Sequence, residues 1–316
     1  MTPPMDSLIR TIRLKGKDLV LVRPGLTLTL YLDTPLHECA PGCADALEAY
    51  LAHVGPDTLR TYVADNGQFR PLSSKQISKD LRNLRKLPPD SEGYRILYNQ
   101  GVESEVGTHA IFFEGSAFAE PEPLPDKTHL LRLELPPPPA EDQSWLEPFI
   151  EFVCQIANLV PFQSGNAGFA FKHVGVFESQ MRKEINRLLP RYYGFDPSYD
   201  PARFDMKGRS FGAHWLTLLR TDLIQKLGGM EALRAALPQA ELRPLDQGVL
   251  IRAARRPPLG DVNRQCTDIG CMPEVARLLR PIRYEAKGFG QPQEVFDALA
   301  WLARYDDKAS QPWDAP

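Results

Sequence analysis

The stretch "HECAPGCADALEAYLAH" holds His37, Cys39, Cys43 and His53 close together in the chain. Thiolate and imidazole are the ligands zinc prefers, and a Cys-x3-Cys spacing is allowed. One reading is therefore a metal centre, and the activity it would support is that of a metal-dependent hydrolase. The structural reading has Cys43 opening a helix as a small apolar residue and His53 closing it near the negative end of the dipole, with His37 and Cys39 in the preceding loop. The spacing matches no standard zinc finger, so the structural reading is preferred and no metal or cofactor is expected. Cys266 and Cys271 have no histidine near them in sequence and are also read as structural.

A second stretch with possible chemistry is "GVLIRAARRPPLGDVNR", residues 248–264. Val249 to Ile251 read as a buried strand, after which Arg252, Arg255 and Arg256 crowd a turn beside Asp261. Three arginines could hold an anion, or could be satisfied by Asp246, Asp261 and Asp268. A catalytic centre needs a nucleophile or a base, and Asp261 is the one candidate. Pro257, Pro258 and Gly260 impose a fixed turn that Asp261 can cap, so a structural corner is preferred over a site. Elsewhere the chain has no P-loop, no H-E-x-x-H, no G-x-S-x-G and no G-x-G-x-x-G after a strand. No catalytic residue is assigned, and the chain is not expected to be an enzyme.

Charge patterning says more than motifs. Arg70, Lys75, Lys79, Arg82, Arg85 and Lys86 face a single acid, Asp80, within residues 70–86. Directly afterwards Asp90, Glu92, Glu103, Glu105, Glu114, Glu120, Glu122 and Asp126 face a single base, Arg95. The plain reading is a solvated basic helix face neutralised by acidic loops. The sharper one is an acidic surface that docks into a basic groove on a partner, such as one shaped for a phosphate backbone. Net charge is −3, and one basic helix without an array of stacking aromatics falls short of a nucleic-acid footprint, so no direct nucleic-acid binding is expected.

The elements that must position these residues follow from periodicity. Thirty prolines in 316 residues predict many turns and irregular connections. "DLVLVRPGLTLTLYLD" (18–33) reads as two β runs around Pro24-Gly25, a hairpin or a bent strand. Further strands are expected at 59–63, 94–98, 109–115, 129–136, 167–173 and 248–252. Helices are expected at 43–55, at 73–87 with a serine N-cap, at 145–159 and 177–189, through "TDLIQKLGGMEALRAAL", near 273–280 and at 292–305. Strands and helices mix without regular βαβ alternation, which predicts an α+β fold with mixed or antiparallel sheets. The run "PPPPAEDQS" (136–144) is taken as the boundary between an N-terminal half, 1–136, and a C-terminal half, 137–316. The most apolar helix candidate carries Glu147, Glu151, Gln155 and Asn158 and is too polar to span a membrane. No signal peptide is visible, and five cysteines do not suggest a disulfide framework, so the expected location is the cytoplasm.

The ordered blocks "RYYGFDPSY" (191–199), "HWLTLL" (214–219), "KLGG" (226–229), "GVLIRAARRPPLGDVNR" (248–264) and "LLRPIRY" (278–284) resemble the type VI secretion immunity family. Its members are paired with nuclease effectors, including those of the VRR-nuclease type. The resemblance implies a cytoplasmic inhibitor, without a reaction of its own, that binds a cognate toxin and protects the producing cell and its siblings. An adaptor or chaperone that loads the effector is the alternative within the same binding role. The shared blocks are rich in Gly, Pro and Trp, which suits turns and packing, so candidate contact residues come from elsewhere. They are the acids Glu103, Glu105, Glu120, Glu122 and Asp126, and the aromatic and basic Tyr199, Arg203 and Arg209 in the irregular stretch 192–211.

Overall fold

In the computed structural model of the protein, residues 5–14, 16–101, 105–116, 127–139, 142–173, 178–198, 206–285 and 298–310 are described. Strands β1 (Arg10–Leu14) and β2 (Lys17–Leu32) lead to helix α1 (Leu36–Val54), then β3 (Thr61–Val63), β4 (Phe69–Pro71), α2 (Ser74–Arg85), β5 (Gly93–Asn99), β6 (Ala110–Ser116) and β7 (His129–Leu135). Residues 136–139 run from β7 toward α3 (Leu146–Leu159), which is followed by β8 (Ser164–His173), α4 (Glu178–Leu188) and β9 (Leu216–Arg220). The chain continues through α5 (Thr221–Lys226), α6 (Gly229–Ala236), β10 (Glu241–Leu245), β11 (Gly248–Arg252), α7 (Met272–Leu279) and α8 (Ala298–Leu302).

The strands form one 11-stranded sheet in the order β10-β11-β9-β8-β2-β7-β6-β5-β3-β4, with β1 also paired to β2. The registered pairs are antiparallel, so the fold is α+β, as the unalternated order of elements predicts. Strand β2 joins the sheet's two sides. One of its edges pairs with β8, and the other is shared end to end by β1, up to Val22, and β7, from Leu26.

That sharing explains why Pro24 leaves one continuous strand, the second of the two sequence alternatives, rather than a hairpin. Pro24 lies opposite Phe171 of β8, whose N–H donates away from β2 to Asp196 O at 2.9 Å. The pair is therefore of the non-hydrogen-bonded kind, and the N–H that proline lacks would have pointed to the opposite edge. That edge is the gap between β1 and β7, where no ladder bond is needed. Gly25 is required for a different reason. A Cβ there would stand 2.4 Å from Lys172 Cε and 2.6 Å from Leu135 O.

Alternation along β2 sorts the sheet's faces. Val22, Leu26, Leu28, Leu30 and Leu32 lie on one face and Arg23, Thr27, Thr29 and Tyr31 on the other. Helix α1 packs on β6 and β7 and against α3, with Tyr50 and Phe152 in ring contact at 6.5 Å. Helices α5 to α7 cover Leu219, Val249 and Ile251 in a second apolar cluster.

Local differences from the periodicity have identifiable causes. Helix α1 starts at Leu36 rather than Cys43 and tolerates Pro41, while Gly42 lets it approach Leu159 O, which a Cβ would meet at 2.3 Å. "TDLIQKLGGMEALRAAL" is two helices, because Gly228 and Gly229 both take positive φ between them. "HWLTLL" contributes β9. Strand β10, "ELRPL", is hidden in sequence by its charges and Pro244, a composition that suits a sheet edge. Ser73 caps α2 as expected, accepting from Gln76 N at 3.2 Å. The last helix is described only over Ala298–Leu302 of the expected 292–305.

Gly25→Ala is expected to lower the unfolding free energy by about 2 kcal/mol or more in urea titrations, because backbone Leu135 O cannot move aside as a side chain can. A loss below about 0.5 kcal/mol would contradict this packing.

Candidate functional site

The second face of the sheet carries an unusual row of buried polar groups at its centre. Register sets the row: Arg23 lies opposite Lys172, Thr27 opposite Glu134 and Gly168, and Thr29 opposite Arg132 and Asn166. Asp196 joins it from a bridge beside Ala170, and Arg304 comes from the C-terminal segment. Lys172, Glu134, Arg132, Asn166, Asp196, His214 and Arg304 are all buried.

Each charge is satisfied from the backbone or a neighbour, as burial demands. Lys172 Nζ crosses Gly25 to donate to Leu135 O at 3.0 Å and to Thr108 O at 2.5 Å. Burial pushes its amine down to about 8, against the pull of Glu134, and burial with Lys172 nearby pushes His109 down to about 4. Arg132 donates to Glu134 Oε1 at 3.2 Å and to Ser198 O at 3.3 Å. Arg304 donates to the carbonyls of Tyr193, Trp301 and Ala213 and lies 3.4 Å over the Trp301 ring. Asp196 accepts from Asn166 Nδ2 at 2.7 Å and from Ser198 N at 2.5 Å. Burial pushes its carboxyl up to about 6, even though Ser198 N–H, Arg132 and Arg304 favour the anion.

Ser198, His214 and Asp196 have the residue types of a nucleophilic relay, but their geometry is not that of one. His214 Nδ1 stands 3.6 Å from Asp196 Oδ2, beyond a hydrogen bond. Ser198 Oγ and His214 Nε2 both lack a hydrogen-bond partner, so the hydroxyl and the imidazole are not joined. Burial, with Arg304 close by, pushes the imidazole well below its usual range and holds it neutral. The cluster is a buried polar hub that fixes the chain around β8.

The residues singled out in sequence are placed differently. His37, Cys39, Cys43 and His53 all lie on α1, with His37 and His53 at its two ends, about 24 Å apart at 1.5 Å per residue. Cys39 and Cys43 are buried, His53 stacks on Phe152 at 4.2 Å, and His37 approaches Glu38 at 3.8 Å. Among the described residues no three His, Cys, Asp or Glu side chains are arranged to hold a metal. Glu105 lies half-buried in the loop that reaches Lys172, its carbonyl accepting from Asn99 Nδ2 at 3.0 Å. Arg209 is half-buried, 3.3 Å from Arg283 O and 3.4 Å from Glu285. Glu103, Glu120, Glu122, Asp126, Tyr199 and Arg203 lie outside the described residues.

In residues 248–264 the partners differ from those expected. Arg252 is buried and pairs with Glu147 at 2.8 Å and Glu241 at 2.9 Å, while Asp261 is gripped by Arg191 through two bonds of 3.2 Å. Asp268 accepts from Leu259 N and Gly260 N. Asp261 does cap its own turn, accepting from Asn263 N at 3.0 Å. The acid of 70–86 is also not surface charge: Asp80 is buried and accepts from Gln76, Tyr94 and Tyr98.

The hub itself was missed in sequence. Its trace was present in "LTLTLYL" and "LLRLELP", whose regular alternation signals one polar face.

The family described as type VI immunity for VRR-NUC (TsiV) matches residues 43–313. The chain belongs to this family. The Pseudomonas aeruginosa T6SS protein PA0821 shares the fold of this type VI immunity chain, with a TM-score of 0.73 at 20% sequence identity over 94% of this chain and 88% of that one. No curated protein matches the chain. Among the described residues no helix is long and apolar enough to cross a membrane.

The hub gives the immunity chain a defined pH response. The Asp196 carboxyl, raised from 3.8 to about 6, contributes stability that is fully present below 3.8 and is lost as pH rises through about 6. Relative to the native chain, Asp196→Asn should therefore gain about 3 kcal/mol of unfolding free energy between about pH 3.5 and about pH 7.5. Urea unfolding of both proteins across that range checks it, and a pH-independent difference would overturn the assignment.

Proposed function

We propose that this chain binds a VRR-type nuclease effector of a type VI secretion system directly and neutralises it in the cytoplasm, where the nuclease would meet DNA. The match to the type VI immunity family over residues 43–313 carries the reading. Binding rather than catalysis also suits the chemistry of the hub, whose Ser198 hydroxyl and His214 imidazole are buried and not joined.

The acidic stretch 90–126 supports a mode of action in which the immunity chain covers the effector's substrate cleft. Arg85 of the basic helix α2 pairs with Asp45 at 2.9 Å and Glu48 at 2.5 Å on α1, so this arginine does not neutralise that stretch. Asp90 and Glu92 are exposed. An acidic surface of this kind would compete with a phosphate backbone for basic side chains and speed encounter with a nuclease.

The deciding experiment mixes the purified chain with a VRR-type nuclease effector from the same source and follows DNA cleavage. Cleavage should be abolished at equimolar protein. Binding that leaves cleavage intact would favour an adaptor that loads the effector, and no binding would remove both roles. A second measurement concerns the mode. Replacing Glu103, Glu105, Glu120 and Glu122 together by lysine should weaken the complex at least about tenfold at low salt, with a smaller effect at about 0.5 M salt. Affinity unchanged at low salt would exclude this stretch from the interface.

A further inference from the structure

The turn that follows β11 is held far more firmly than a surface connection requires. Residues 191–194 run antiparallel to 259–262: Tyr193 N donates to Gly260 O, Gly194 N to Leu259 O and Val262 N to Arg191 O. The contact is so close that a Cβ on Gly194 would stand 1.9 Å from Pro258 O. Asp261, 3% exposed, is fixed by both Arg191 bonds and by Asn263 N, and its carbonyl accepts from Arg264 N and Cys266 N. Gln265 and Cys266 then both take left-handed φ, at 60° and 53°. Two successive non-glycine residues in that region cost energy and persist only where the surroundings over-determine them, a condition that recurs at binding sites.

What this frame presents is specific. Val262, 36% exposed, is the one large hydrophobic side chain exposed among the described residues. It follows Asp261, on whose carboxylate two half-exposed arginines converge, Arg191 at 47% and Arg264 at 46% of their side-chain surface. Asp261 engages Nε and Nη2 of Arg191 and so fixes the orientation of its guanidinium. Arg255 and Arg256, which enter the same turn, are exposed as well. An apolar side chain on a hydrogen-bonded backbone, next to a carboxylate that gathers two guanidiniums, has the composition of an interface anchor, and its preorganisation lowers the ordering cost of binding.

We infer that the turn 261–266 is a contact point for the nuclease effector, with Val262 entering a small apolar pocket and Arg191 and Arg264 meeting carboxylates at its rim. The inference rests on the proposed effector-binding role and adds to it a second surface, opposite in charge to the acidic stretch. Guanidinium forks match carboxylates and phosphates alike, and the exposed apolar Val262 favours a protein surface, with carboxylates beside an apolar pocket, over a phosphate backbone.

The test measures affinity for a VRR-type nuclease effector from the same source, using Val262→Glu, Val262→Ser and Arg264→Glu, with Arg234→Glu, an exposed position of α6, as the charge control. Val262→Glu and Arg264→Glu should each weaken the complex at least about tenfold and Val262→Ser less, while the control stays within about twofold and the unfolding midpoints stay unchanged. Val262→Ser and Arg264→Glu carry the test if Val262→Glu fails to fold. Native-like affinity in the variants, with the native chain binding tightly, would overturn the inference and leave the effector-binding role standing. Failure of the native chain itself to bind would overturn both.

Discussion

Everything in this fold hangs on β2, whose 16 residues serve three strands. A strand with one partner on one edge and two partners sharing the other must change partner partway along. Pro24 sits at that change, where its missing donor leaves nothing unpaired. Gly25 follows because Lys172 crosses the strand at that point to reach carbonyls on β7 and on the loop before β6. Side-chain and backbone requirements thus coincide on two adjacent residues, and the pairing of β2 with β8 joins the two sides of the sheet into one.

The same strand explains why the sheet has one apolar and one polar buried face. Helices α1 and α3 cover the leucine face by dispersion and apolar burial, which are tolerant of small shifts. The other face is covered in part by irregular backbone from 206–215 and by α8 with the turn after it at 303–305, and irregular backbone and helix ends bring carbonyls that need donors. Arg304 supplies them to Tyr193 and Ala213, both distant in the chain, and to Trp301 in its own segment, while Asp196 collects Asn166 and the Ser198 N–H. Buried charges of this kind gain little net stability, because desolvation offsets attraction. What they do here is exclude alternative placements of the covering segments, since any shift would strand a buried charge.

Legibility in the sequence followed the range of the interactions. The alternation of 94–98 and 129–136, the serine cap of α2 and the amphipathic spacing of α3 depend on neighbours within a few residues, and each led to the observed element. Strand β10 was hidden because edge strands carry the charges and prolines that also mark loops. The partners of Arg252 were misassigned for a related reason. Asp246, Asp261 and Asp268 are near in sequence, yet Glu147 on α3 and Glu241 on β10 are near in space. The polar hub was invisible for the strongest version of that reason, since Arg132, Asn166, Asp196, His214 and Arg304 come from five segments.

A net charge of −3 spread evenly would give this chain a weak and featureless field. The charge is instead divided into an acidic stretch after α2 and an arginine-rimmed turn after β11, and the division matters physically. Exposed charges act over about a Debye length, so the two regions operate as separate contacts rather than as a mean. The acidic stretch suits capture, where long-range attraction raises the encounter rate. The turn suits retention, because a rigid apolar anchor slows dissociation without an ordering penalty. The proposed role as a nuclease inhibitor would need both, fast encounter before DNA is cut and slow release afterwards. An over-determined backbone at one exposed turn would serve the second of these.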